Sequence, residues 1–194
     1  MARAAEAIGV RRFTVDEYHR MVDAGILRED DRVELIYGVI REMGPKNRPH
    51  IVAATRVLRV FEHGLAGRAG VYIEAPLGMV KLDSEPEPDI VVGDNPAVES
   101  YGTESFHPLL IIEVADSSLR YDLSLKSELY ARAGIPEYWV VDLPNRVLVV
   151  FRNPDGAYQT RDTYAPGSRI APVSWPDFEI DVDSLFPAEA ASSR

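Results

Sequence analysis

The segment PLLIIEVADSS, residues 108–118, constrains the fold of this chain more than any other, because it places one carboxylate inside an apolar run. Leu109 to Ile112 are four consecutive apolar residues, and Val114 follows Glu113 directly. Such a run predicts a strand that is built into a sheet. Burial of an unpaired ionised carboxylate costs several kcal/mol or more. We therefore expect Glu113 to point at solvent, to be neutral, or to be paired.

The rest of the chain alternates between helical and strand patterns. Thr14, with Glu17 three residues later, forms a capping box and predicts a short helix that ends at Gly25. The other predicted elements are a hairpin at 32–43, a long helix at 49–65, strands at 71–74, 77–82, 89–92 and 109–115, a helix at 121–133, and strands at 137–143, 146–152, 158–164 and 169–173. This order predicts an α/β protein with one mixed sheet and helices on its faces.

The length of 194 residues suits a single domain with its own hydrophobic core. We predict a flexible N-terminus at 1–12, a folded domain at 13–187 and a frayed tail at 188–194. The chain contains no cysteine, which excludes disulfides and thiolate-bound metals. Any metal must be bound by oxygen atoms or by the four histidines, and a hard cation is the natural candidate.

Hydropathy and charge give expectations about location and partners. No apolar run approaches the roughly 18 residues that a membrane-spanning helix needs, so we expect a soluble, cytoplasmic protein. The net charge of −10 argues against broad adhesion to nucleic acids or anionic membranes. The segment 41–68 is nevertheless locally basic and would be the approach side for a polyanion. The alternative is a solvated helix face that carries scattered arginines. Its basic residues are Arg41, Lys46, Arg48, Arg56, Arg59 and Arg68.

Three carboxylates share an unusual setting, since each lies in or beside an apolar strand. They are Glu34 in RVELIYG, Asp89 in PDIVV and Glu113 in LLIIEVAD. Taken singly, each has an ordinary interpretation as an exposed edge position or a strand end. If Asp89 and Glu113 end neighbouring strands, their charges repel each other, and a divalent cation would remove that repulsion. Magnesium suits such an all-oxygen site because it binds one or two carboxylates and keeps several waters.

Lys126, on the helix after the Glu113 strand, would supply a positive charge. Helical spacing places Asp122, Lys126 and Tyr130 on one face. Spacing alone equally allows a surface ion pair between Asp122 and Lys126, which would contribute only a few tenths of a kcal/mol.

The order of these residues resembles the PD-(D/E)XK nuclease superfamily, and more closely its Uma family of restriction-endonuclease-like bacterial proteins. The matching positions are Glu34, Pro88-Asp89, Glu113-Val114 and Lys126, followed by LYARAGIPEYWVVD, over roughly residues 13–186. The resemblance implies a restriction-endonuclease-like mixed sheet flanked by helices. It also implies that Asp89 and Glu113 bind Mg²⁺ or Mn²⁺, that Glu34 is an accessory acid, and that Lys126 orients the attacking water.

The resemblance also touches two further positions. The family often has histidine at the position of His50, which could equally cap the long helix or bind phosphate. The wider superfamily places its lysine two residues after the glutamate, on the same face of the strand, where this chain has Ala115. The lysine must therefore come from the helix. Asp116 adds a further charge nearby and could cap the strand end.

Two functions from different classes follow from the resemblance. The first is a magnesium-dependent endonuclease that hydrolyses DNA, acts as a homodimer so that both strands can be cut, and contacts phosphates through the basic segment. The alternative is a catalytically inactive module of the same fold that binds nucleic acid or protein. Hydrolysis of another phosphorylated substrate is a third hypothesis.

Overall fold

The structure, a computed structural model, describes residues 9–28 and 30–188. The chain divides into two units, the first comprising Met1–Gly44 and Pro76–Glu87 and the second Pro45–Ala75 and Pro88–Arg194. The predicted flexible N-terminus and frayed tail lie mainly outside the described residues, and the domain bounds 13–187 stay a prediction. Across the described part of the chain, no helix is long and apolar enough to cross a membrane.

The first unit begins with helix α1, Val15–Asp23. Its capping box forms as the sequence predicted, since the Glu17 N–H donates to Thr14 Oγ1 at 3.2 Å and the Thr14 N–H donates to the Glu17 carboxylate at 3.1 Å. Val15 and Tyr18 on the inner face of the helix pack against Leu35. The amphipathic pattern therefore builds a small core of its own.

The predicted hairpin is confirmed as strands β1, Val33–Ile36, and β2, Val39–Glu42, which pair antiparallel. Tyr37 and Gly38 connect them with φ values of 49° and 75°. Two consecutive positive φ values are typical of a type I′ turn, whose twist matches that of the strands it joins. A Cβ at Gly38 would lie 2.6 Å from the Arg12 Cβ, so the turn requires glycine.

The predicted strand at 77–82 is wrong. This part of the first unit contains a 3-10 turn, Val80–Leu82, and single bridges from Met79 to Ser84 and from Leu35 to Glu85. Asp83 has a φ of 42°, in the left-handed region, which reverses the chain before a ladder can form. The apolar residues of this segment misled the prediction, because Met79 is buried in a turn and Val80 is exposed, and neither belongs to a strand.

The second unit is built on a six-stranded mixed sheet in the order β3-β4-β5-β6-β7-β8. Its only parallel pair is β5 with β6, and the other neighbours are antiparallel. The strands are β3 Gly70–Ile73, β4 Ile90–Gly93, β5 Pro108–Ala115, β6 Glu137–Asp142, β7 Val147–Pro154 and β8 Tyr158–Tyr164. The central strands β5 and β6 are almost entirely buried, as their apolar runs predicted.

Helices cover the sheet of the second unit. Helix α2, Arg48–Gly64, packs Val57 and Phe61 against one face, together with Trp139 of β6. Tyr130 of the later helical segment packs on Tyr138 with ring centroids 4.9 Å apart. That segment consists of α3 Leu119–Tyr121, a π-helical turn Asp122–Lys126 and α4 Ser127–Arg132. A short pair, β9 Arg169–Ile170 and β10 Ile180–Asp181, and the 3-10 turn Val182–Leu185 complete the unit. The predicted mixed sheet flanked by helices is confirmed.

Candidate active site

The adjacent strands β4 and β5 bring two of the predicted site residues together. Ile90 pairs with Ile112, and the same register continued by one residue sets Asp89 opposite Glu113. The Val114 N–H donates to Asp89 Oδ2 at 2.8 Å, and the Asp89 N–H lies 3.4 Å from Glu113 Oε2. The backbone of the sheet therefore holds both carboxylates at one place.

Glu113 is buried, with 4 % of the residue exposed, so exposure to solvent is excluded for this carboxylate. Its Oε1 accepts hydrogen bonds from Lys126 Nζ at 2.7 Å and from the Tyr130 hydroxyl at 2.9 Å. Burial raises the pKa of Glu113 to about 8; Lys126 opposes this rise, while the Asp89 and Asp122 carboxylates add to it. The ammonium and the hydroxyl show that Glu113 is paired, and a pKa of about 8 means that its neutral form is also favoured near neutral pH. A bound cation would favour the ionised form.

Lys126 reaches Glu113 from a π-helical turn. Lys126 and Asp122 are 5 % and 3 % exposed, so the surface ion pair considered from spacing alone is excluded. Asp122 accepts a hydrogen bond from Ser118 Oγ at 2.6 Å, and its backbone carbonyl accepts one from the Tyr138 hydroxyl at 3.1 Å. Single π turns inside helices occur often at functional sites. The sequence pattern, which was analysed with α-helical spacing, could not reveal this turn.

Asp89 faces a second group of side chains at the start of helix α2. Its Oδ1 lies 3.0 Å from His50 Nε2 and 3.2 Å from Lys46 Nζ. Burial raises the pKa of Asp89, but hydrogen bonding and charge from His50, the Lys46 ammonium and the Val114 N–H outweigh burial and lower it below its usual value. Asp89 is therefore the more readily ionised of the two acids.

Asn47, and not His50, caps helix α2. The His50 N–H donates to Asn47 Oδ1 at 3.0 Å, and Asn47 Nδ2 donates to the Asp116 carboxylate. The imidazole of His50 does not cap the helix and contacts Asp89 instead. Asp116 ties the strand end of β5 to this helix start.

Lys46 and Glu74 were missed as site residues by the sequence analysis. Lys46 Nζ lies 3.0 Å from Glu74 Oε1 as well as 3.2 Å from Asp89 Oδ1. Burial lowers the pKa of Lys46, but the Asp89 and Glu74 carboxylates outweigh it and raise the pKa above its usual value. The only available sequence signal was the position of Lys46 within the basic segment, directly before the helix cap.

Glu34, the predicted accessory acid, belongs to the first unit. It lies on β1 opposite Arg41 of β2, with 3.7 Å between Glu34 Oε1 and Arg41 Nη1. Its side chain is 2 % exposed, which is unusual for a glutamate on a two-stranded hairpin. Its role as an accessory acid stays a prediction.

The basic segment 41–68 is not a uniform cationic surface. Arg56 Nε donates to the Ser184 carbonyl at 2.9 Å, and Arg68 pairs with Asp177 at 2.8 Å. Arg48 and Arg59 on helix α2 are exposed. Contact of Arg48 and Arg59 with a polyanion would not break the contacts that Arg56 and Arg68 make.

The donor chemistry at Asp89 and Glu113 fits a hard divalent cation. Two buried carboxyl groups form the donor set, and both supply oxygen. Within residues 9–28 and 30–188, no group of three or more histidine, aspartate or glutamate side chains is arranged to hold a metal ion. An ion bound here would therefore complete its coordination with water or substrate oxygens, as Mg²⁺ does in phosphoryl-transfer sites.

A mixed sheet whose adjacent strands carry Asp89 and Glu113, with a lysine from the following helix, defines a restriction-endonuclease-like protein. The model of the Uma2 family, described as "Putative restriction endonuclease", matches residues 15–183, and the chain belongs to this family. Both the predicted family and the predicted fold class are thereby confirmed.

A solved structure supports the fold independently. The chain is similar to "a putative nuclease belonging to DUF820 from Anabaena variabilis ATCC 29413", with a TM-score of 0.70 and 18% sequence identity. The match covers 90% of this chain and 97% of the other. At this identity the likeness shows a shared fold. The search of curated proteins gave no match.

Proposed function

We propose that this protein is a magnesium-dependent endonuclease that hydrolyses phosphodiester bonds of DNA in the cytoplasm, with Mn²⁺ able to replace Mg²⁺. Membership of the family described as "Putative restriction endonuclease" supports the reaction class. The observation that carries the proposal is the contact of buried Glu113 with Lys126 at 2.7 Å, directly beside Asp89. Burial of charged acids and a lysine costs desolvation free energy that their pairing does not always repay. Such a cluster is therefore more readily explained by function than by stability.

The residues of the site would divide the work as follows. Asp89 and Glu113 would hold the cation, which when bound lowers the pKa of a water molecule and neutralises charge that grows on the phosphate. His50 and the Val114 N–H fix the Asp89 carboxylate, while Tyr130 and Lys126 fix that of Glu113. Glu34 would serve as the accessory acid.

Lys126 would orient the attacking water by donating a hydrogen bond to its oxygen. That oxygen forms a new bond to phosphorus while the bond from phosphorus to one sugar oxygen breaks. The water releases one proton to solvent, and the departing sugar oxygen takes up one proton. One water molecule is consumed for each bond cleaved, so the reaction needs no oxidant or further co-reactant.

The exposed arginines of helix α2, Arg48 and Arg59, would contact phosphates of the DNA backbone. Such contacts position a nucleic acid without reading its sequence. Cleavage of both strands by one copy of the site would require rebinding, so we propose that the protein acts as a homodimer. Light scattering of the purified protein, with and without DNA, measures this assembly directly.

Plasmid cleavage tests the proposed function. Supercoiled plasmid is incubated with the protein and Mg²⁺ or Mn²⁺, and nicked and linear products are measured. We expect losses of about 100-fold or more in Asp89→Asn, Glu113→Gln and Lys126→Met, the size typical for removal of a group that stabilises transition-state charge. Asp94→Asn is the matched control, because Asp94 directly follows β4 and is exposed.

Folding is checked by circular dichroism for every variant. A folded wild-type protein that cleaves nothing with either cation would overturn the proposal. Salt-sensitive DNA binding that persists in the Asp89 and Glu113 variants would then support the alternative of an inactive nuclease-fold module that binds nucleic acid or protein.

A further inference from the structure

Lys46 occupies a position that the proposed chemistry does not use. Its ammonium lies between Asp89 Oδ1 at 3.2 Å and Glu74 Oε1 at 3.0 Å. Asp89 is one of the two carboxylates assigned to the cation. Lys46 therefore already neutralises, from within the chain, a carboxylate that a divalent cation would need.

The two positive charges cannot share the same oxygen of Asp89 without strong repulsion. A bound Mg²⁺ lies about 2.0–2.1 Å from its ligand oxygens. An ammonium 3.2 Å from Asp89 Oδ1 would then be a near neighbour of the ion. Like charges a few ångströms apart repel strongly where water screens them only in part, as Coulomb's law shows. Either the cation avoids this oxygen or the ammonium moves.

The structure favours movement of the ammonium. The side chain of Lys46 is 18% exposed, and its four-carbon stem is flexible. Glu74, its second partner, has a side chain that is 48% exposed. The ammonium can therefore leave Asp89 and keep Glu74 while it turns toward water. Lys126, by contrast, is 7% exposed in its side chain and offers no comparable route.

We propose that Lys46 is a displaceable counter-ion of Asp89: its ammonium neutralises Asp89 before the divalent cation binds, and moves to Glu74 and solvent when the cation arrives. The inference rests on the proposed function, since it takes Asp89 as a ligand of the cation. Lys46 is a positioning residue in this scheme, because it acts through Asp89 and touches no reacting atom. It weakens cation binding by the amount that its displacement costs.

Metal binding is the first test. Isothermal titration calorimetry with Mn²⁺ compares the wild type with Lys46→Met, which keeps the length of the side chain and removes its charge. We expect about tenfold tighter binding in Lys46→Met, which corresponds to about 1.4 kcal/mol. Lys46→Arg keeps the charge and should stay close to the wild type. Lys81→Met is the matched control, because it removes the charge of an exposed lysine to which the proposed function assigns no role.

Chemical modification of the wild type is the second test, and it depends on no variant. The chain contains three lysines, Lys46, Lys81 and Lys126, so each can be followed by mass spectrometry after brief acetylation. We expect Mn²⁺ to raise the acetylation rate of Lys46 several-fold, because its amine becomes more exposed. Lys81, which is exposed, should not change. In Asp89→Asn, addition of Mn²⁺ should have no effect on Lys46.

Each outcome decides the inference. Tighter binding in Lys46→Met together with faster acetylation of Lys46 supports it, as does binding in Lys46→Met where the wild type binds nothing. Equal or weaker binding in Lys46→Met, when the wild type binds Mn²⁺, overturns the inference and leaves the proposed cation site intact. Absence of binding in both proteins overturns the inference and the metal dependence of the proposed function together.

Discussion

The two carboxylates of the candidate site are balanced by lysines in very different settings. Glu113 pairs with Lys126, and both side chains are almost fully buried, at 5% and 7% exposed. Asp89 pairs with Lys46, whose side chain is 18% exposed and also contacts Glu74. A pair that water cannot reach is fixed by the fold. In a pair that borders solvent, such as Asp89 and Lys46, a divalent cation could replace the ammonium.

The difference follows from the elements that carry the lysines. Lys126 projects from a π-helical turn that packs over the sheet, beside Tyr130. Lys46 precedes Asn47, the cap of helix α2, and so belongs to the chain leading into the helix. A side chain held inside the packed layers has one orientation, whereas a side chain before a helix cap retains alternatives. The two lysines should therefore differ in stability, in metal affinity and in chemical reactivity.

The largest expected difference is in folding stability. Lys126→Met should lower the free energy of unfolding by about 3 kcal/mol, because it leaves a buried carboxyl without its ammonium. Lys46→Met should cost about 1 kcal/mol or less, since solvent replaces part of what is lost. Urea unfolding without divalent cations measures both, and Lys81→Met serves as a control at an exposed lysine. Equal losses in the two site variants would show that burial does not separate them.

Divalent cations should stabilise the protein through Asp89 and Glu113. At a cation concentration 100 times its Kd, linkage predicts about 2.7 kcal/mol of added stability. The gain should disappear in Asp89→Asn and remain in Asp94→Asn, and thermal unfolding with and without Mn²⁺ measures it. A gain that persists in Asp89→Asn would place the cation elsewhere.

Much of this architecture was readable from the sequence. The capping box of α1, the hairpin and the apolar runs of β5 and β6 form as predicted, because period and turn chemistry act locally. The strand predicted at 77–82 failed because the chain reverses in a turn, with Asp83 in a left-handed conformation and Val80 exposed. Local composition cannot distinguish a short apolar strand from a turn that carries apolar residues.

The sequence predicted part of the candidate site, but it did not predict the side chains that surround Asp89. Asp89 and Glu113 stand out in the sequence because they interrupt apolar runs, and Lys126 was reached through its place on the following helix and the family resemblance. Lys46 lies among polar residues, and Glu74 ends a predicted strand, and a charged residue is ordinary at either kind of position. Their contact joins residues 28 positions apart and depends on how β3 lies beside β4. A pattern within one segment carries no information on such a contact.

His50 sharpens the comparison on the Asp89 side. Its imidazole lies 3.0 Å from Asp89 Oδ1 and fixes the carboxylate, whereas Lys46, in the proposed scheme, would compete with a cation for it. His50→Ala should therefore weaken Mn²⁺ binding about tenfold, the lower range for loss of a group that orients a metal ligand. His50→Gln, which retains a hydrogen-bond donor, should recover part of the affinity. Titration calorimetry measures both, and tighter binding in His50→Ala would show that the imidazole acts as a competitor like Lys46.

The smallest expected effect concerns Tyr130 on the Glu113 side. Its ring packs on Tyr138, and its hydroxyl lies 2.9 Å from Glu113 Oε1. Tyr130→Phe keeps the ring and removes one donor, so it should cost about 1 kcal/mol of stability. Mn²⁺ affinity should change less than about fivefold, because a change of under 1 kcal/mol corresponds to less than that, and Lys126 still holds the same oxygen.

Tyr158→Phe is the control for Tyr130→Phe, because its hydroxyl donates to the Ile135 carbonyl at 2.9 Å. If Tyr130→Phe cost as much as Lys126→Met, the hydroxyl rather than the ammonium would hold Glu113 in place. The contrast between the two sides would then lie in the number of fixed donors and not in the burial of the lysines. Equal, small losses of unfolding free energy in the two tyrosine variants would instead leave Lys126 as the group that fixes Glu113. Of the two lysines, only Lys46 could then be displaced from its carboxylate by a cation.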